Sequence, residues 1–136
     1  MEAIDQQQRP VQSMDWGVIK WFVTPDETPG AGVTFGEVVL LPGKGHERHN
    51  HPDAEEILYV LSREGDQMLD DDGESWFRVK AGDVIYVPQG MFHATVNRGW
   101  QTMRLLALYS PGGAERVLRD LPDFREGDGP DWTLET

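Results

Sequence analysis

The chain has no cysteine, which excludes disulfide bonds, thiolate metal ligands and cysteine nucleophiles. It is also poor in basic residues, with 12 against 24 acidic ones and a formal net charge of −12. Its lysines are Lys20, Lys44 and Lys80. A surface of this sign repels nucleic-acid phosphates and anionic membranes, so we expect neither nucleic acid nor a membrane as a partner.

Long hydrophobic runs are missing as well. No segment approaches the roughly 18 consecutive apolar residues of a membrane-spanning helix. The first twenty residues carry no basic segment followed by an apolar stretch, the pattern of a secretory signal. We therefore expect a cytoplasmic protein, and 136 residues are enough for one domain with one core.

What the chain does contain is a series of short apolar segments separated by glycine- and proline-rich turns. This pattern, with no helices between the segments, favours an all-β sandwich or barrel. One short helix is predicted over 114–121, where Val117, Leu118 and Leu121 share a face and Pro122 ends the helix. The predicted strands are 18–23, 33–41, 48–51, 56–61, 67–69, 76–79, 84–87, 93–97 and 102–109.

Three histidines and a glutamate have the spacing of a metal site. His49 and His51 are two residues apart, so on a strand both imidazoles project from one face. Glu56 begins an apolar strand, and a bare carboxylate at the rim of an apolar cavity is costly unless a cation is bound. His93 follows a Pro-Gln-Gly turn. Such nitrogen and oxygen donors suit one divalent transition metal, namely Fe, Mn, Ni, Zn, Co or Cu. Glu55 is the alternative carboxylate ligand.

At these residues the chain resembles the cupins, a superfamily of small barrels described by two motifs. The first, G-x5-H-x-H-x3,4-E-x6-G, is matched except that Arg63 replaces its closing glycine; the matching residues are Gly43, His49, His51 and Glu56. The second, G-x5-P-x-G-x2-H-x3-N, is matched throughout by Gly82, Pro88, Gly90, His93 and Asn97. The resemblance implies a double-stranded β-helix, or jelly-roll barrel, with a metal held by the three histidines and Glu56. Because cupins often pair through their sheets, it also implies a homodimer.

The resemblance divides the chain into three parts. We expect an N-terminal arm over residues 1–15, the cupin β-barrel over 16–112, and a short helix with an acidic tail over 113–136.

The function that follows is broad, because one fold hosts many chemistries. An open metal site predicts an enzyme acting on a small-molecule substrate, of dioxygenase-like oxidoreductase type. A non-redox lyase or isomerase, a non-catalytic protein that binds a small acid or sugar, and a structural metal remain open. Glu37 and Tyr86 are the candidate catalytic residues, as proton relays.

Other side chains are assigned less specific roles. His46 lies outside both motifs and is expected to be a solvated loop residue. The residues expected to line the barrel are Phe35, Glu37, Trp76, Tyr86, Met91, Phe92, Trp100 and Met103.

Overall fold

The computed structural model describes residues 2–128 and is built almost entirely of β-strands. A short 3-10 turn, Gln6–Gln8, precedes the strands, and a 3-10 helix, Ala114–Asp120, follows the ninth; we call the latter the C-terminal helix. No helix among residues 2–128 is long and apolar enough to cross a membrane. The strands are β1 (Val11–Met14), β2 (Gly17–Val23), β3 (Thr34–Leu40), β4 (Glu55–Ser62), β5 (Glu64–Leu69), β6 (Trp76–Lys80), β7 (Val84–Val87), β8 (His93–Asn97), β9 (Met103–Ser110) and β10 (Arg125–Gly127).

The strands form two antiparallel sheets. One has seven strands in the order β10-β1-β2-β3-β9-β4-β7, and the other has three in the order β6-β5-β8. Side chains from both sheets meet in one hydrophobic core, with Leu58 and Leu105 from the larger sheet and Val79 from the smaller. This is the all-β jelly-roll barrel that the two motifs predicted.

Strict alternation in β4 separates the inside of the barrel from the outside. Glu56, Leu58 and Val60 are buried, whereas Ile57 and Tyr59 between them are exposed. Successive side chains of a strand point to opposite faces, so every second residue from Glu56 onward points into the barrel. The carboxylate therefore shares its face with the core.

Most predicted elements are confirmed, and three are placed differently. The strands at 84–87 and 93–97 have the predicted bounds, and the predicted helix is the C-terminal helix. Residues 48–51 do not form a strand and contribute only a bridge between His49 and His93. The expected N-terminal arm contains β1, which pairs with β2 and β10. The acidic tail contains β10, and its last residues, 129–136, lie outside the described part.

The turn in which Arg63 replaces the motif glycine keeps the glycine conformation. Arg63 has a φ of 70°, the left-handed region that ordinarily favours glycine. The backbone path of the motif is therefore retained here at the cost of an unfavourable conformation for a residue with a Cβ atom.

Candidate metal centre

Backbone hydrogen bonds join the loop before β4 to the start of β8. The His49 amide donates to the His93 carbonyl at 3.1 Å, and the His93 amide donates to the His49 carbonyl at 2.8 Å. The amide of Gly90 donates to the His51 carbonyl at 3.0 Å. These bonds bring residues 49–51 and residue 93, more than forty positions apart in sequence, into contact.

The three imidazoles form a compact cluster that could bind a metal ion. His49, His51 and His93 each offer a ring nitrogen, and these nitrogens all lie within 4.8 Å of one another. The ring centroids are 4.3 Å apart for His49 and His93, 4.9 Å for His49 and His51, and 5.1 Å for His51 and His93. His51 and His93 are buried, and His49 is half-buried at the cavity wall.

Backbone carbonyls orient two of the rings. Nδ1 of His49 lies 2.8 Å from the Glu47 carbonyl oxygen, and Nδ1 of His93 lies 3.1 Å from that of Met91. A carbonyl can only accept, so Nδ1 carries the proton in each neutral ring and Nε2 presents a lone pair. Metal-bound histidines have this arrangement, in which the second ring nitrogen donates to a carbonyl and fixes the tautomer.

Glu56 completes the arrangement from β4. Its Oε1 atom lies 2.9 Å from Nε2 of His93 and 3.5 Å from Nε2 of His51. Among the described residues, Glu56 Oε1 and His51 Nε2 are buried without a hydrogen bond of acceptable geometry. Buried polar atoms without a partner cost free energy, and a cation between a carboxylate oxygen and an imidazole nitrogen removes that cost. The donor set therefore fits a divalent metal.

The ionisation states also suit a metal. Burial would raise the pKa of Glu56, but the side chains of His51 and His93 outweigh it and hold that pKa at about 2. Burial lowers the pKa of His49 to about 3, helped by the neighbouring imidazoles. Near neutral pH the site thus presents a carboxylate and a neutral imidazole, and metal binding requires such deprotonated ligands.

A cavity of about 750 Å³ opens beside the cluster. Its polar side chains include His46, Thr95 and Tyr109, and its charged ones include Glu56, Arg48 and Arg125. No lysine is among the lining residues of the described chain. The apolar wall comes from the larger sheet and from the segment around the C-terminal helix: Trp16, Ile19, Val38, Leu40, Leu58, Leu105, Ala114, Val117, Leu118 and Leu121.

The structure does not bring the two candidate catalytic residues to this cavity. Glu37 forms an ion pair with Arg104, with Nη1 and Oε2 2.5 Å apart, on the opposite face of β3 from Val38 and Leu40, which line the cavity. Tyr86 is 52% exposed, and its hydroxyl donates to Oε2 of Glu55 at 2.8 Å. Strand alternation places Glu37, Tyr86 and Glu55 outside the barrel, with Glu56 inside.

The other residues expected to line the barrel are also absent from the cavity wall. Met103 lies in the core, and Trp76 and Trp100 are 45% and 96% exposed. The wall residues that were not predicted include two with polar groups beside the histidines: His46, which is half-buried instead of solvated, and Tyr109. Alternation from Leu105 and Ala107 identifies Tyr109 as inward-facing, whereas nothing in the sequence signals His46.

Comparison with known sequences gives the family. The model of the cupin domain matches residues 36–109, more than half of the chain. A relative named glucose-6-phosphate isomerase, from Thermococcus gammatolerans, is 33% identical over 140 residues, covering 86% of this chain and 74% of that protein.

Solved structures agree with the fold. A mutant of the Bacillus subtilis oxalate decarboxylase matches with a TM-score of 0.66 and 25% identity over 74% of this chain. The chain spans just 27% of that decarboxylase's length. A predicted oxalate decarboxylase from Thermotoga maritima matches with a TM-score of 0.67 and 21% identity, covering 81% of this chain and 99% of that one. By sequence motif, family match and fold, the chain belongs to the cupin family.

Proposed function

We propose that this cupin is a divalent-metal-dependent enzyme whose ion is held by His49, His51, His93 and Glu56. The observation that carries the proposal is the pair of buried polar atoms without a hydrogen-bond partner, Glu56 Oε1 and His51 Nε2, beside the other histidines. Four protein ligands would leave positions open toward the cavity, as catalytic metal sites do. The cavity volume of about 750 Å³ is that of a site for a small molecule.

The residues that line the cavity would limit which molecules can bind in it. The apolar part of the wall, with its leucine, isoleucine and tryptophan side chains, favours a substrate with an apolar body. A bound divalent ion would supply polarisation of a carbonyl oxygen and a lowered pKa for a coordinated hydroxyl. Glu56 stays ionised because of its histidine neighbours, and its negative charge would help to keep the divalent ion bound.

Isomerase or lyase chemistry at a carbonyl compound is the first candidate reaction. The relatives named glucose-6-phosphate isomerase and oxalate decarboxylase support it, because both names describe substrates rich in oxygen. A phosphorylated sugar suits this cavity poorly. Of the two arginines on the wall, Arg48 bonds to the Asp71 carbonyl and lies 4.0 Å from the Phe92 ring centroid, and Arg125 donates to the Phe124 carbonyl, so both guanidinium groups are already engaged. We infer a substrate without a phosphate group.

Dioxygenase-like oxidation is the second candidate. The donor set of three imidazoles and a carboxylate favours it, because this set suits Fe and Mn as well as Zn. The substrate class would be the same, with O₂ as the second substrate.

Element analysis of protein purified without added metal tests the metal proposal. We expect about one transition-metal ion per chain, and the absence of any such ion after loading attempts would contradict it. Assays of the loaded protein on hydroxyaldehydes and hydroxyketones, under argon and in air, then separate the reactions. Turnover under argon supports isomerase or lyase chemistry, and turnover that consumes O₂ supports dioxygenase-like oxidation. A ligand that binds without turnover in either gas would favour a binding protein.

We also propose that the protein is a homodimer that pairs through the outer face of β4 and β7. Five large apolar side chains there are exposed: Ile57 by 41%, Tyr59 by 42%, Leu61 by 41%, Val84 by 61% and Tyr86 by 52%. Such a patch is on the order of 400–500 Å², the size of the largest apolar patch on a typical protein, which is often functional, and about half of one side of a standard interface. β7 is also an edge strand with unpaired backbone groups that a second copy could cover.

Light scattering of size-separated protein tests the dimer. We expect Val84→Glu to convert a dimer to a monomer, whereas Ile4→Glu, at an exposed residue elsewhere, leaves it unchanged. A wild-type monomer at micromolar concentration would contradict the proposal.

A further inference from the structure

Two of the three proposed histidine ligands are oriented by a backbone carbonyl, and the third is not. Nδ1 of His49 lies 2.8 Å from the Glu47 carbonyl oxygen, and Nδ1 of His93 lies 3.1 Å from that of Met91. In the part of the chain that the structure describes, no hydrogen bond engages Nδ1 of His51. Metal-binding histidines almost always donate from the second ring nitrogen, and that bond fixes the orientation of the ring. Another contact must therefore orient the ring of His51.

The ring of Tyr109 makes that contact. Its centroid lies 4.6 Å from the centroid of His51, with the ring planes tilted by 49°, and both residues are 6% exposed. The other rings near His51 belong to His49 and His93, at 4.9 and 5.1 Å, and these are themselves proposed ligands. Aromatic rings at such distances attract one another when their planes are tilted. Tyr109 is thus the nearest described ring to His51, and it belongs to the cavity wall instead of the ligand set.

Tyr109 is held in turn by Trp21 of β2. The two ring centroids are 5.4 Å apart, and Trp21 is 3% exposed. The indole Nε1 donates to Oε1 of Gln12 on β1 at 3.1 Å, and Nε2 of Gln12 donates to Oε2 of Glu126 at 3.3 Å. The first of these bonds satisfies the indole N–H, which burial would otherwise leave without a partner. Gln12, Trp21 and Tyr109 therefore form a continuous row of side chains that ends at His51.

A glycine leaves room for this row across the sheet. Trp21 lies on β2 and Tyr109 on β9, with β3 between the two strands. The residue of β3 opposite Trp21 is Gly36, and the residue of β9 opposite Gly36 is Ala107. A Cβ atom on Gly36 would lie 2.7 Å from Cε3 of Trp21. The indole therefore occupies the space over β3 that a side chain at position 36 would fill, and this lets it reach Tyr109.

We propose that Tyr109 is a positioning residue for the metal ligand His51, and that Trp21 and Gln12 hold Tyr109 in place. The tyrosine ring does for His51 what the backbone carbonyls do for the other two imidazoles. It restricts rotation of the ring, so that Nε2 of His51 stays beside Oε1 of Glu56, at 3.5 Å. The tyrosine hydroxyl is not needed for this role, since no hydrogen bond engages it among the described residues. The inference rests on the proposed function, because it concerns a residue that binds the metal.

Competition titration of Co²⁺ between the protein and a coloured chelator tests this role. Tyr109→Leu removes the ring but keeps an apolar side chain, and it should weaken Co²⁺ binding about 10- to 100-fold, as loss of an orienting contact does. Tyr109→Phe keeps the ring and should bind as the wild type does. Trp21→Phe removes the bond to Gln12 and should weaken binding by a smaller factor than Tyr109→Leu. Val79→Ala is the control: it opens the core outside the cavity wall, so it should reduce stability without changing the affinity.

Nitrogen NMR spectra of the imidazole rings, recorded on the metal-free proteins, give a readout that general loss of stability would not change selectively. In Tyr109→Leu the resonances of His51 should shift or broaden, because its ring is no longer restrained. Those of His49 and His93 should keep their wild-type positions, because the backbone carbonyls still hold these rings.

Wild-type Co²⁺ affinity in Tyr109→Leu would overturn the proposal, and so would equal losses in Tyr109→Leu and Tyr109→Phe. A loss in Val79→Ala as large as that in Tyr109→Leu, or equal spectral changes in all three histidines, would also overturn it. If Tyr109→Leu does not fold, Trp21→Phe decides, and wild-type affinity with unchanged His51 resonances counts against the role. A wild type that takes up no Co²⁺ contradicts the proposed function itself, whereas a wild type that binds Co²⁺ beside unaffected variants contradicts the role of Tyr109 alone.

Discussion

Glu56 Oε1 lies 2.9 Å from Nε2 of His93, and the two side chains are 5% and 1% exposed. The His93 ring already uses Nδ1–H on the Met91 carbonyl, so in its neutral form Nε2 has no proton to donate to the carboxylate. While the ring is neutral, two buried acceptors therefore face each other across a short distance, and only a proton on the ring or a cation between the two groups makes the contact favourable. A cation shared by both is the simplest way to stabilise this arrangement.

Substitution of the carboxylate should therefore weaken metal binding selectively. We expect Glu56→Gln to lower metal affinity by about 10- to 100-fold, since even residues that only orient metal ligands have effects of this size. Competition titration with a coloured chelator measures it. Glu55→Gln is the matched control, because Glu55 lies on the outer face and bonds to Tyr86. Equal losses in both variants would refute the assignment of Glu56.

The residues that the structure places outside the cavity should be dispensable for the site. We expect Glu37→Gln and Tyr86→Phe to keep the wild-type metal content. Glu37→Gln breaks a partly exposed ion pair with Arg104, so it should cost at most about 1 kcal/mol of unfolding free energy. Metal analysis and urea denaturation measure the two effects. Loss of metal in either variant would show that the substituted residue contributes to the metal site.

Glycine at position 45 should be required for stability. A Cβ atom there meets the Thr95 oxygen at 2.3 Å and Val96 Cα at 2.8 Å, both backbone atoms that cannot move cheaply. We expect Gly45→Ala to cost about 1–3 kcal/mol, as overpacking does. Gly32→Ala, where a Cβ atom meets nothing within 4 Å, is the control and should have little effect. Urea unfolding of both variants decides, and similar stabilities would contradict the close approach.

Acid should destabilise the metal-free protein in two steps. Burial lowers the pKa of His46 and His49 from 6.5 to about 4 and about 3. As the pH falls below 6.5, the unfolded chain takes up protons that the folded protein does not, so the free energy of unfolding decreases. The pKa of Glu56 is about 2 instead of 4.5, so the stability from its ionised form is lost as the pH falls from 4.5 toward 2.

Urea midpoints measured on chelator-treated protein between pH 7.5 and 4 test this dependence. The midpoint should decrease steadily below about pH 6.5. A constant midpoint down to pH 5 would mean that the histidines are not buried as described.

The parts of the fold that follow a simple period could be predicted from the sequence. Alternation in β4 identified the inward face of Glu56, and β7 and β8 had the predicted bounds. Glu37 could not be oriented in this way, because apolar residues occupy both faces of β3. Val39 joins a cluster outside the barrel, whereas Val38 and Leu40 line the cavity.

The additional site residues depend on long-range contacts that no local pattern contains. The alternation of β9 predicts that Tyr109 points inward, but it cannot tell a residue of the cavity wall from one of the packed core. Only the cavity beside Tyr109 in the structure makes that distinction. His46 is placed by the approach of Gly45 to Val96, 51 positions later in the chain. β1 was missed for a related reason: four residues show too little periodicity, and pairing with β2 and β10 stabilises them.

The position of the metal is the most direct test of this account. A crystal of protein purified without added metal, measured at the absorption edge of the element found, gives that position by anomalous diffraction. We predict one strong peak about 2.0–2.2 Å from a nitrogen of His49, His51 and His93 and from an oxygen of Glu56. Metal-replete crystals in which these four side chains turn away from one another, with no peak between them, would contradict it.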